Sequence, residues 1–545
     1  MSIELAESEP AAANGEAWLP ASNGGRAFLV AVVAVGVSLR VYGLIDHGLW
    51  IDEYGTWWAV AGQSWSDCWS RVLEIHGQSP FYYLIVRLSV DLLGSGPASL
   101  RIPSLIFGVG LLALAYPLAM RIFRDRRIAL LAAAAFAVNE RLIYYSQEAR
   151  PYSLALFLAV CSFYFYATLL DRNTRSARVG YVLTTALAYY AHYFFGIIVL
   201  VQAVHLLTTR PKRWRSWFAT AAALGLSLAP GLWQLRAIFA RRDSLDWIAE
   251  PSGWLGFLEP AGEFLDPVIF VLTGAAALLA WAGVRPALRS ALGAHGGIGI
   301  FWFAIPVLVF SVVPQLAGIN LTHARYLVVT APAIPLIYAV LLAVPLGLSR
   351  DPPQGLVSAK AALRSLPLLV FLGSTVWLRI VPFVSEQGDF WWFYQHGWKN
   401  AVQDIAEGFE PGDLILYRTH FVELDQLVRG EASASTTEFV EWPVLAHLPA
   451  GYDFPRRALP YSDDPQTRKT LQSIMNEAAT ARRIWLVGLE VDDPAGERRV
   501  LSRAIRLATQ RHGMRMLGRH RYGLVHVVLL HRPGDNPGAP PSEAR

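Results

Sequence analysis

Charged residues are scarce in this sequence. Asp, Glu, Lys and Arg make up 16% of the 545 residues, whereas 54% are apolar, and the mean hydropathy is +0.34. A soluble protein of this length would need more charge to cover its surface, so the composition predicts an integral membrane protein. The net charge of +5 comes from short arginine clusters between apolar runs. That pattern is typical of membrane topology and argues against a nucleic-acid partner.

Several chemical signatures are also missing. The two cysteines, Cys68 and Cys161, cannot make a disulfide framework. There is no His-Glu-x-x-His motif and no zinc-type cysteine and histidine spacing, so no cofactor is assigned, and a divalent metal stays open without a nameable ligand set. The lack of a P-loop disfavours ATP as the direct energy source. No internal repeat is found, and no cleavable signal peptide is predicted, since the first apolar run starts near Ala27 and further runs follow.

Eleven apolar runs are interpreted as helices that cross a hydrocarbon core of about 30 Å. They lie at residues 27–45, 102–122, 128–146, 151–170, 180–193, 194–208, 216–236, 266–284, 297–317, 326–348 and 364–384. The fifth and sixth are short and divide near His192. The run Phe81–Gly94 is shorter still and contains Arg87 and Asp91. It is interpreted as an amphipathic helix on the membrane surface.

The loops between these runs predict an orientation and a domain order. Arginine clusters such as Arg121–Arg127 follow even-numbered spans, and basic loops are retained in the cytoplasm. We therefore expect a multi-pass plasma (inner) membrane protein with a cytoplasmic N-terminus and an extracytoplasmic C-terminus. Strand-like runs at 413–417, 483–490 and 525–531, with helical periodicity at 399–408 and 498–513, predict a soluble α/β domain. The predicted order is a disordered tail at 1–25, a transmembrane domain at 26–384 with an external loop at 46–100, the α/β domain at 385–532 and a disordered tail at 533–545.

The predicted outer face collects titratable side chains from distant parts of the sequence. They are Asp52, Glu53, His76, Glu148, Arg150, His192, His323, Arg325 and Tyr326. Such groups at membrane depth are costly unless they face a wet cavity or one another, so their clustering predicts a site. Structural interpretations stay open beside this one. The acid pair suits a solvated loop end within an aromatic belt, His76 a helix cap, His192 an interior histidine, and Arg325, like Arg40, an arginine that extends to the interface.

Six stretches between residues 27 and 345 carry a family pattern. In order they read WIDEYGTWW, HGQSPFYYLIVRL, RIPSLIFG, YYSQEARPYSLAL, AHYFFG and ARYLVVTAPAIPLI. Together they resemble the GT-C fold glycosyltransferases, in particular the bacterial relatives of protein O-mannosyltransferases and aminoarabinose transferases, described as dolichyl-phosphate-mannose mannosyltransferase-like.

The resemblance implies a GT-C type transmembrane domain that moves a sugar from a polyprenyl-phosphate carrier to a glycan, lipid or protein acceptor outside the cytoplasm. It implies Asp52 at the catalytic acidic position with Glu53 beside it. It also implies Arg150, Arg325 and Tyr326 near the lipid phosphate and the sugar. The commoner His-Pro-Pro pattern is replaced here by His76-Gly-Gln-Ser-Pro, so no role for His76 is carried over.

The residue types suit that reaction. A sugar hydroxyl needs a carboxylate to accept its proton, and a lipid phosphate leaves as a stable anion, so one base suffices and inversion is expected. Arginines can stabilise the leaving phosphate, provided that Asp52 and the arginines converge on one wet cleft. Two alternatives stay open. A transporter or flippase of polyprenyl-linked sugars would carry polar groups near the bilayer midplane and repeated halves, and a membrane-anchored binding protein would act through the α/β tail.

Overall fold

The chain forms two compact units. The computed structural model describes residues 19–240 except 21, 46, 63 and 77, then 267–279, 295, 297–317, 323–343, 359–385, 397–449, 451–489 and 498–534. The helical unit comprises Met1–Tyr42 and Ile102–Ser385, and the sheet unit comprises Gly43–Arg101 and Glu386–Arg545. The external loop predicted at 46–100 thus clusters with the C-terminal domain. Residues 1–18 and 535–545 of the predicted tails lie outside the described part of the chain.

Each of the eleven predicted spans contains a helix. The α-helices of the helical unit are Asn23–Val41, Pro97–Phe123 (from Ile102 onward), Arg126–Val138, Glu140–Gln147, Tyr152–Asp171, Arg175–Ala191, Ile197–Thr209, Phe218–Ala240, Pro267–Leu279, Gly297–Ala317, Ala333–Ala343, Ala359–Thr375 and Val381–Val384. The 3₁₀ turns are Tyr193–Gly196, Pro211–Trp217 and Ala324–Thr330, and Val376–Ile380 forms a π turn. Of the described helices, four are long and apolar enough to cross a membrane alone, or five if one bent pair forms a single span. The chain is a multi-pass membrane protein, and the number eleven stays a prediction.

The predicted span at 128–146 is broken at Asn139. The helices Arg126–Val138 and Glu140–Gln147 meet there at 51°. Asn139 lies in the extended region, and its side-chain oxygen accepts a hydrogen bond from the N–H of Leu142 at 3.0 Å. Asparagine favours this capping position over a helix interior, because its side chain replaces the missing backbone acceptor.

The break explains the position of Arg40, which the sequence analysis placed at the membrane interface. That expectation was wrong, because Arg40 is fully buried. Its guanidinium donates to the carbonyls of Phe136 at 3.2 Å and Ala137 at 3.1 Å, and to its own helix at Gly36. These two carbonyls end the helix before Asn139, so they lack the usual partners of a continuous helix. The arginine supplies the missing donors.

The sheet unit combines loop helices with an α/β domain. The loop contributes Ile51–Val60, Trp65–Arg71, Phe81–Leu93 and the π turn Val72–His76. The α/β domain contributes Trp398–Gly408, Leu424–Arg429, Ala434–Leu445, Pro465–Ala478 and Arg498–Arg506, followed by the π turn Leu507–Arg511. The Phe81–Leu93 helix exposes Leu88, Leu92 and Leu93, which suits the predicted surface helix.

One mixed sheet organises the α/β domain. Its strands are β1 (Asp413–Arg418), β2 (Arg456–Ala458), β3 (Arg483–Leu489), β4 (Arg515–Tyr522) and β5 (Val525–His531), in the order β2-β1-β3-β5-β4. β1 runs parallel to β2 and β3, whereas β5 runs antiparallel to β3 and β4. β1, β3 and β5 are buried along almost their whole length, which is why they appear in the sequence as continuous apolar runs.

A buried ion pair joins the first residues of the central strands. Asp413 and Arg483 face each other in register, and the guanidinium of Arg483 donates to both carboxylate oxygens at 2.9 and 2.7 Å. The indole N–H of Trp485 donates to the same carboxylate at 2.9 Å. The backbone N–H of Glu410 donates to it as well, at 3.0 Å, so the carboxylate accepts four hydrogen bonds, as a buried charge requires.

Candidate active-site residues

The acid pair lies on a short helix of the sheet unit. Asp52 and Glu53 occupy the first turn of Ile51–Val60, hereafter the acid-pair helix. Negative charge in a first turn is favoured by the exposed N–H groups at that end of a helix. Successive residues on a helix point about 100° apart, so the two carboxylates face different surroundings. Glu53 is fully buried, whereas Asp52 is half-buried.

Glu53 is held by an arginine 48 positions further along the chain. The Nε and Nη2 atoms of Arg101 lie 2.8 and 2.6 Å from its two carboxylate oxygens, and both side chains are buried. The backbone N–H of Trp50 donates to the same carboxylate at 3.3 Å. A bidentate arginine pair of this kind gives geometric specificity. The charge of Glu53 is therefore neutralised inside the unit.

Arg101 also fixes the chain that leads into the acid-pair helix. Its two terminal nitrogens donate to the carbonyls of Leu44, His47 and Gly48 at 2.8, 3.2 and 2.9 Å. One guanidinium thus ties the segment before the helix to Glu53 within it. This arrangement sets the direction in which the helix begins, and with it the position of the backbone at Asp52.

A helix of the α/β domain packs on the acid-pair helix. The ring of Trp57 lies 6.1 Å from Trp442 and 5.6 Å from His447, and Trp58 lies 5.3 Å from Phe439, measured between ring centroids. The Tyr54 hydroxyl is 2.7 Å from Nε2 of His447. The α/β domain therefore contributes directly to the packing around the predicted catalytic helix.

A polar contact extends this packing to the neighbouring loop helix. Arg71, at the end of Trp65–Arg71, pairs with both carboxylate oxygens of Glu438 at 3.1 and 3.0 Å. The same guanidinium lies 4.8 Å above the Trp58 ring and donates to the Trp58 carbonyl at 2.7 Å. Aromatic faces attract cations in this geometry, so Arg71 joins the loop and the domain through one side chain.

The Tyr54–His447 contact joins two neutral groups. Burial, followed by the charge of Glu53, raises the pKa of Tyr54. Burial, helped by Lys399, lowers the pKa of His447 to about 4. Desolvation disfavours the charged form of each group. Near neutral pH one of them donates and the other accepts, according to the tautomer of the imidazole.

His76 closes the π turn Val72–His76. Its side chain lies outside the described part of the structure, as does the residue that follows. The predicted place of His76 in a substrate-binding site and its alternative role as a helix cap both stay predictions. The surface helix that it precedes begins at Phe81, with Pro80 as the preceding cap residue.

The remaining candidates meet in the helical unit. Glu148 and Arg150 lie in the buried turn before the Tyr152–Asp171 helix, where the Arg150 N–H donates to the Glu148 carbonyl at 2.8 Å. The hydroxyl of Ser104, on another helix, donates to the Arg150 carbonyl at 3.3 Å. The turn is thus held through its backbone.

His192 lies at the centre of this group. It occupies the break between Arg175–Ala191 and the following 3₁₀ turn, with its ring 5.2 Å from that of Tyr152. The guanidinium groups of Arg150 and Arg325 are near enough to act electrostatically on its imidazole. Two positive charges near one half-buried ring make a region that favours an anion.

Tyr326 joins the group through aromatic contacts. Its ring lies 4.7 Å from Phe194, which in turn lies 5.5 Å from His192. Arg325 and Tyr326 belong to the Ala324–Thr330 turn, which His323 caps by accepting a hydrogen bond from the Arg325 N–H at 3.2 Å. Five sequence candidates are therefore neighbours in the helical unit. We call this set, Glu148, Arg150, His192, Arg325 and Tyr326, the arginine cluster.

Two contributors were not predicted. Arg101 opens the RIPSLIFG stretch of the family pattern, but no role was assigned to it, and His447 lies in a segment without a motif. No spacing in the sequence pairs either residue with Glu53 or Tyr54. Among the described residues, no three His, Cys, Asp or Glu side chains form a group that could hold a metal ion.

Known proteins resemble this chain in sequence and in fold. Residues 77–233 match the profile of the family described as dolichyl-phosphate-mannose-protein mannosyltransferase. The crystal structure of ArnT from Cupriavidus metallidurans in the apo state superposes with a TM-score of 0.54 and 14% identity, covering 92% of this chain and 98% of that chain. The structure of the same ArnT bound to undecaprenyl phosphate gives a TM-score of 0.52 with the same identity and coverage. No curated protein sequence matches. The predicted GT-C fold with a C-terminal α/β domain is confirmed.

Proposed function

We propose that this protein is a membrane glycosyltransferase that transfers a sugar from a polyprenyl-phosphate carrier to an acceptor hydroxyl on the extracytoplasmic side. ArnT, which shares the fold, has been solved with undecaprenyl phosphate bound, and the family profile describes a mannosyltransferase. We infer that the present chain also uses a polyprenyl-phosphate carrier. The acceptor, whether glycan, lipid or protein, is left open.

The arginine cluster is the observation that carries the proposal. Arg150 and Arg325 both act on the imidazole of His192, at one end of an apolar helix that is long enough to span a membrane. A lipid phosphate must keep its tail in hydrocarbon while its head reaches donors at the boundary, and guanidinium groups suit that head through paired hydrogen bonds. Aromatic rings such as Tyr326 would stack on the sugar.

We assign the general base to Asp52 and not to Glu53. A base must be able to accept a proton during the reaction. Glu53 is buried and bound by Arg101 through both oxygens, so its protonation would break the ion pair that holds the helix entrance. Asp52 is half-buried one position earlier. In this proposal Glu53 positions the helix and Asp52 acts on the acceptor.

The proposed reaction is a single displacement. The carboxylate of Asp52 accepts the proton of the acceptor hydroxyl as its oxygen attacks the anomeric carbon of the sugar. The new carbon–oxygen bond forms while the bond from that carbon to the phosphate oxygen breaks, and the electron pair leaves with the polyprenyl phosphate. Arg150 and Arg325 stabilise the negative charge that develops there. Attack from the opposite side inverts the anomeric centre.

The test is Asp52→Asn in the purified full-length enzyme. We expect loss of transfer from undecaprenyl-phosphate-linked mannose, glucose or aminoarabinose, whichever the wild type uses, by about 100-fold or more, the usual contribution of a general base. Undecaprenyl phosphate binding and thermal unfolding should stay unchanged. Asp91→Asn is the matched control, since Asp91 is a partly exposed loop carboxylate that pairs with Arg87. Wild-type turnover by Asp52→Asn would rule the assignment out.

The transporter alternative makes a different prediction. Proteoliposomes would then move the lipid-linked sugar across the bilayer without any new glycosidic bond, and Asp52→Asn would not separate binding from chemistry. Sidedness is tested with Asp91→Cys in a variant that lacks Cys68 and Cys161, in sealed inside-out and right-side-out vesicles. We expect labelling by a membrane-impermeant maleimide from the extracytoplasmic side alone, and labelling from the other side would overturn the proposed orientation.

A further inference from the structure

A groove on the helical unit has no role in the reaction proposed above. It is a cavity of ≈ 640 Å³ between the helices Pro97–Phe123 and Tyr152–Asp171 and the start of Arg175–Ala191. Its volume is typical of ligand sites in proteins. Apolar side chains line most of the groove, and an arginine lies at one end of it. An apolar wall suits a hydrocarbon chain, and the arginine suits an anionic head group.

Residues on successive turns of two facing helices form the apolar wall of the groove. Gly110 and Leu114 lie on one helix, and Phe157, Cys161 and Phe165 line the facing helix. From Gly110 to Arg121 the groove extends about 16 Å, at 1.5 Å per residue. A side chain at Gly110 would lie 3.0 Å from the Phe157 ring, so glycine lets this ring occupy the wall. The surface suits a hydrocarbon chain.

Arg121 forms the cationic end. Its side chain is only 8% exposed, and its guanidinium lies 5.4 Å from the centroid of the Tyr164 ring. Its Nε is buried without a hydrogen-bond partner among the described residues. A buried donor without an acceptor costs free energy, more so when it carries charge. An anionic oxygen in the groove would remove that cost.

The surrounding charges favour an anion at this end. Asp171 does not offset Arg121, because its carboxylate contacts Arg124 and lies 2.8 Å from Nε2 of His295. Asp125 accepts hydrogen bonds from the backbone of its own helix start. Arg172 lines the groove opposite Arg121. Basic pockets between membrane helices commonly bind the head groups of anionic lipids.

The groove is separate from the arginine cluster. Arg150 precedes the Tyr152–Asp171 helix and Arg172 follows it, so these two ends are about 30 Å apart along 20 residues. A lipid head at Arg121 would lie in the opposite leaflet from a head at Arg150. The groove is therefore not the binding place of the carrier head group in the proposed reaction.

We propose that this groove binds an anionic glycerophospholipid. Its phosphate accepts hydrogen bonds from Arg121, with Arg172 and the hydroxyls of Thr174 and Ser176 around the head group, since all four side chains line the same end. One acyl chain lies along the wall formed by Leu114 and Phe165. The bound lipid stabilises the packing of three helices, two of which have Arg150 and His192 beside their other ends.

Lipid titration by native mass spectrometry tests this proposal on the full-length, delipidated protein. The probes are phosphatidylglycerol, phosphatidylcholine and undecaprenyl phosphate. Arg121→Gln should weaken phosphatidylglycerol binding about tenfold, as expected for the loss of one charge-assisted hydrogen bond. Arg127→Gln is the matched control, because Arg127 is exposed in the same basic loop and an exposed charge contributes little, with a change below about twofold.

A second variant tests the apolar wall and does not depend on Arg121. Ala113 lines the groove and is exposed, so Ala113→Trp should fill the groove, fold normally and exclude phosphatidylglycerol. Equal binding of phosphatidylcholine, equal losses in Arg121→Gln and Arg127→Gln, or no effect of Ala113→Trp would each overturn the proposal. Preferential binding of undecaprenyl phosphate at Arg121 would reassign the groove to the carrier. Asp52→Asn should bind phosphatidylglycerol like the wild type, so the two proposals fail independently.

Discussion

Two regions of this protein bury charged groups among aromatic rings, and they balance those charges differently. In the acid-pair helix, the carboxylate of Glu53 meets the guanidinium of Arg101, whose other N–H groups reach three backbone carbonyls. In the arginine cluster, Arg150 and Arg325 both lie near enough to act on the ring of His192, and Glu148 is the acidic member of the set. Charge is matched in the first region and predominantly positive in the second.

This difference in charge balance indicates a structural role for the Glu53–Arg101 pair and a ligand-binding role for the arginine cluster. A matched buried pair has its partners inside the protein, so it fixes geometry and gains nothing from a ligand. A cluster with more cations than anions at a membrane boundary is stabilised when an anion arrives. We therefore expect changes in the first region to affect folding, and changes in the second to affect the binding of a lipid phosphate.

The largest expected effect is on stability, from Arg101→Ala. This variant leaves the buried Glu53 carboxylate and three carbonyls without their donor. Breaking one side of a buried ion pair costs about 3–5 kcal/mol of the free energy of unfolding. Denaturant or thermal unfolding of the detergent-solubilised protein measures it.

Arg87→Ala is the matched control for this experiment. Arg87 lies in the same loop and pairs with a partly exposed carboxylate, Asp91, at 2.8 Å. A partly exposed pair of this kind contributes about 0–1 kcal/mol. Arg87 also donates to the carbonyls of Val60 and Gly62, so Arg87→Ala should cost more than the pair alone but less than Arg101→Ala, because no fully buried carboxylate loses its arginine. Wild-type stability in Arg101→Ala would show that the acid-pair helix does not depend on its matched charge, and the contrast between the two regions would be lost.

The second prediction concerns lipid affinity and the arginine cluster. Arg150→Gln and Arg325→Gln should each weaken undecaprenyl phosphate binding by about 1.5–3 kcal/mol, or about 10- to 150-fold, since each removes hydrogen bonds between charged groups. Fluorescence or native mass spectrometry titration with undecaprenyl phosphate measures the change. Thermal unfolding of each variant, measured alongside, separates a loss of lipid affinity from a loss of folding.

A surface arginine of the same unit provides the control. Arg379 pairs with Glu140 at 2.9 Å, and both side chains are partly exposed. Arg379→Gln should leave lipid affinity unchanged. If it weakened binding as much as Arg150→Gln, the effect would reflect overall charge, and the arginine cluster would not be a specific site.

The sequence predicted the elements that bury apolar side chains in a regular pattern. The strands β1, β3 and β5 appear as apolar runs because both of their faces are covered. The long helices appear as apolar runs because the sides that the protein leaves uncovered are suited to lipid. The short strand β2 and the edge strand β4 were missed. β4 reads RMLGRHRY, and charged residues on an edge strand discourage pairing with other chains while they hide the strand signal.

The candidate site was predicted in part, and the reason is again physical. Residues that needed to be polar at membrane depth stood out against an apolar background, so the members of the arginine cluster were found individually. Arg101 could not be linked to Glu53, because a pair 48 positions apart leaves no periodic pattern. The break at Asn139 was missed although Asn139, Glu140 and Arg141 interrupt the apolar run, because the segments on both sides together have the length of one span.

The smallest expected effect concerns the contact between the acid-pair helix and the α/β domain, and it depends on pH. The pKa of His447 is about 4 in the folded protein because of burial, against an ordinary value of about 6.5. Between these values the unfolded chain binds more protons, so stability is complete above about pH 6.5 and declines as the pH falls toward 4. His447→Gln should flatten this part of the curve of unfolding free energy against pH.

Tyr54→Phe is the control for this prediction. It removes the hydrogen bond to His447 but leaves the imidazole buried, so it should lower stability by about 1 kcal/mol at every pH and keep the decline. A decline of the same size in the wild type and in His447→Gln would mean that protonation of His447 does not govern the contact between the acid-pair helix and the α/β domain in this pH range.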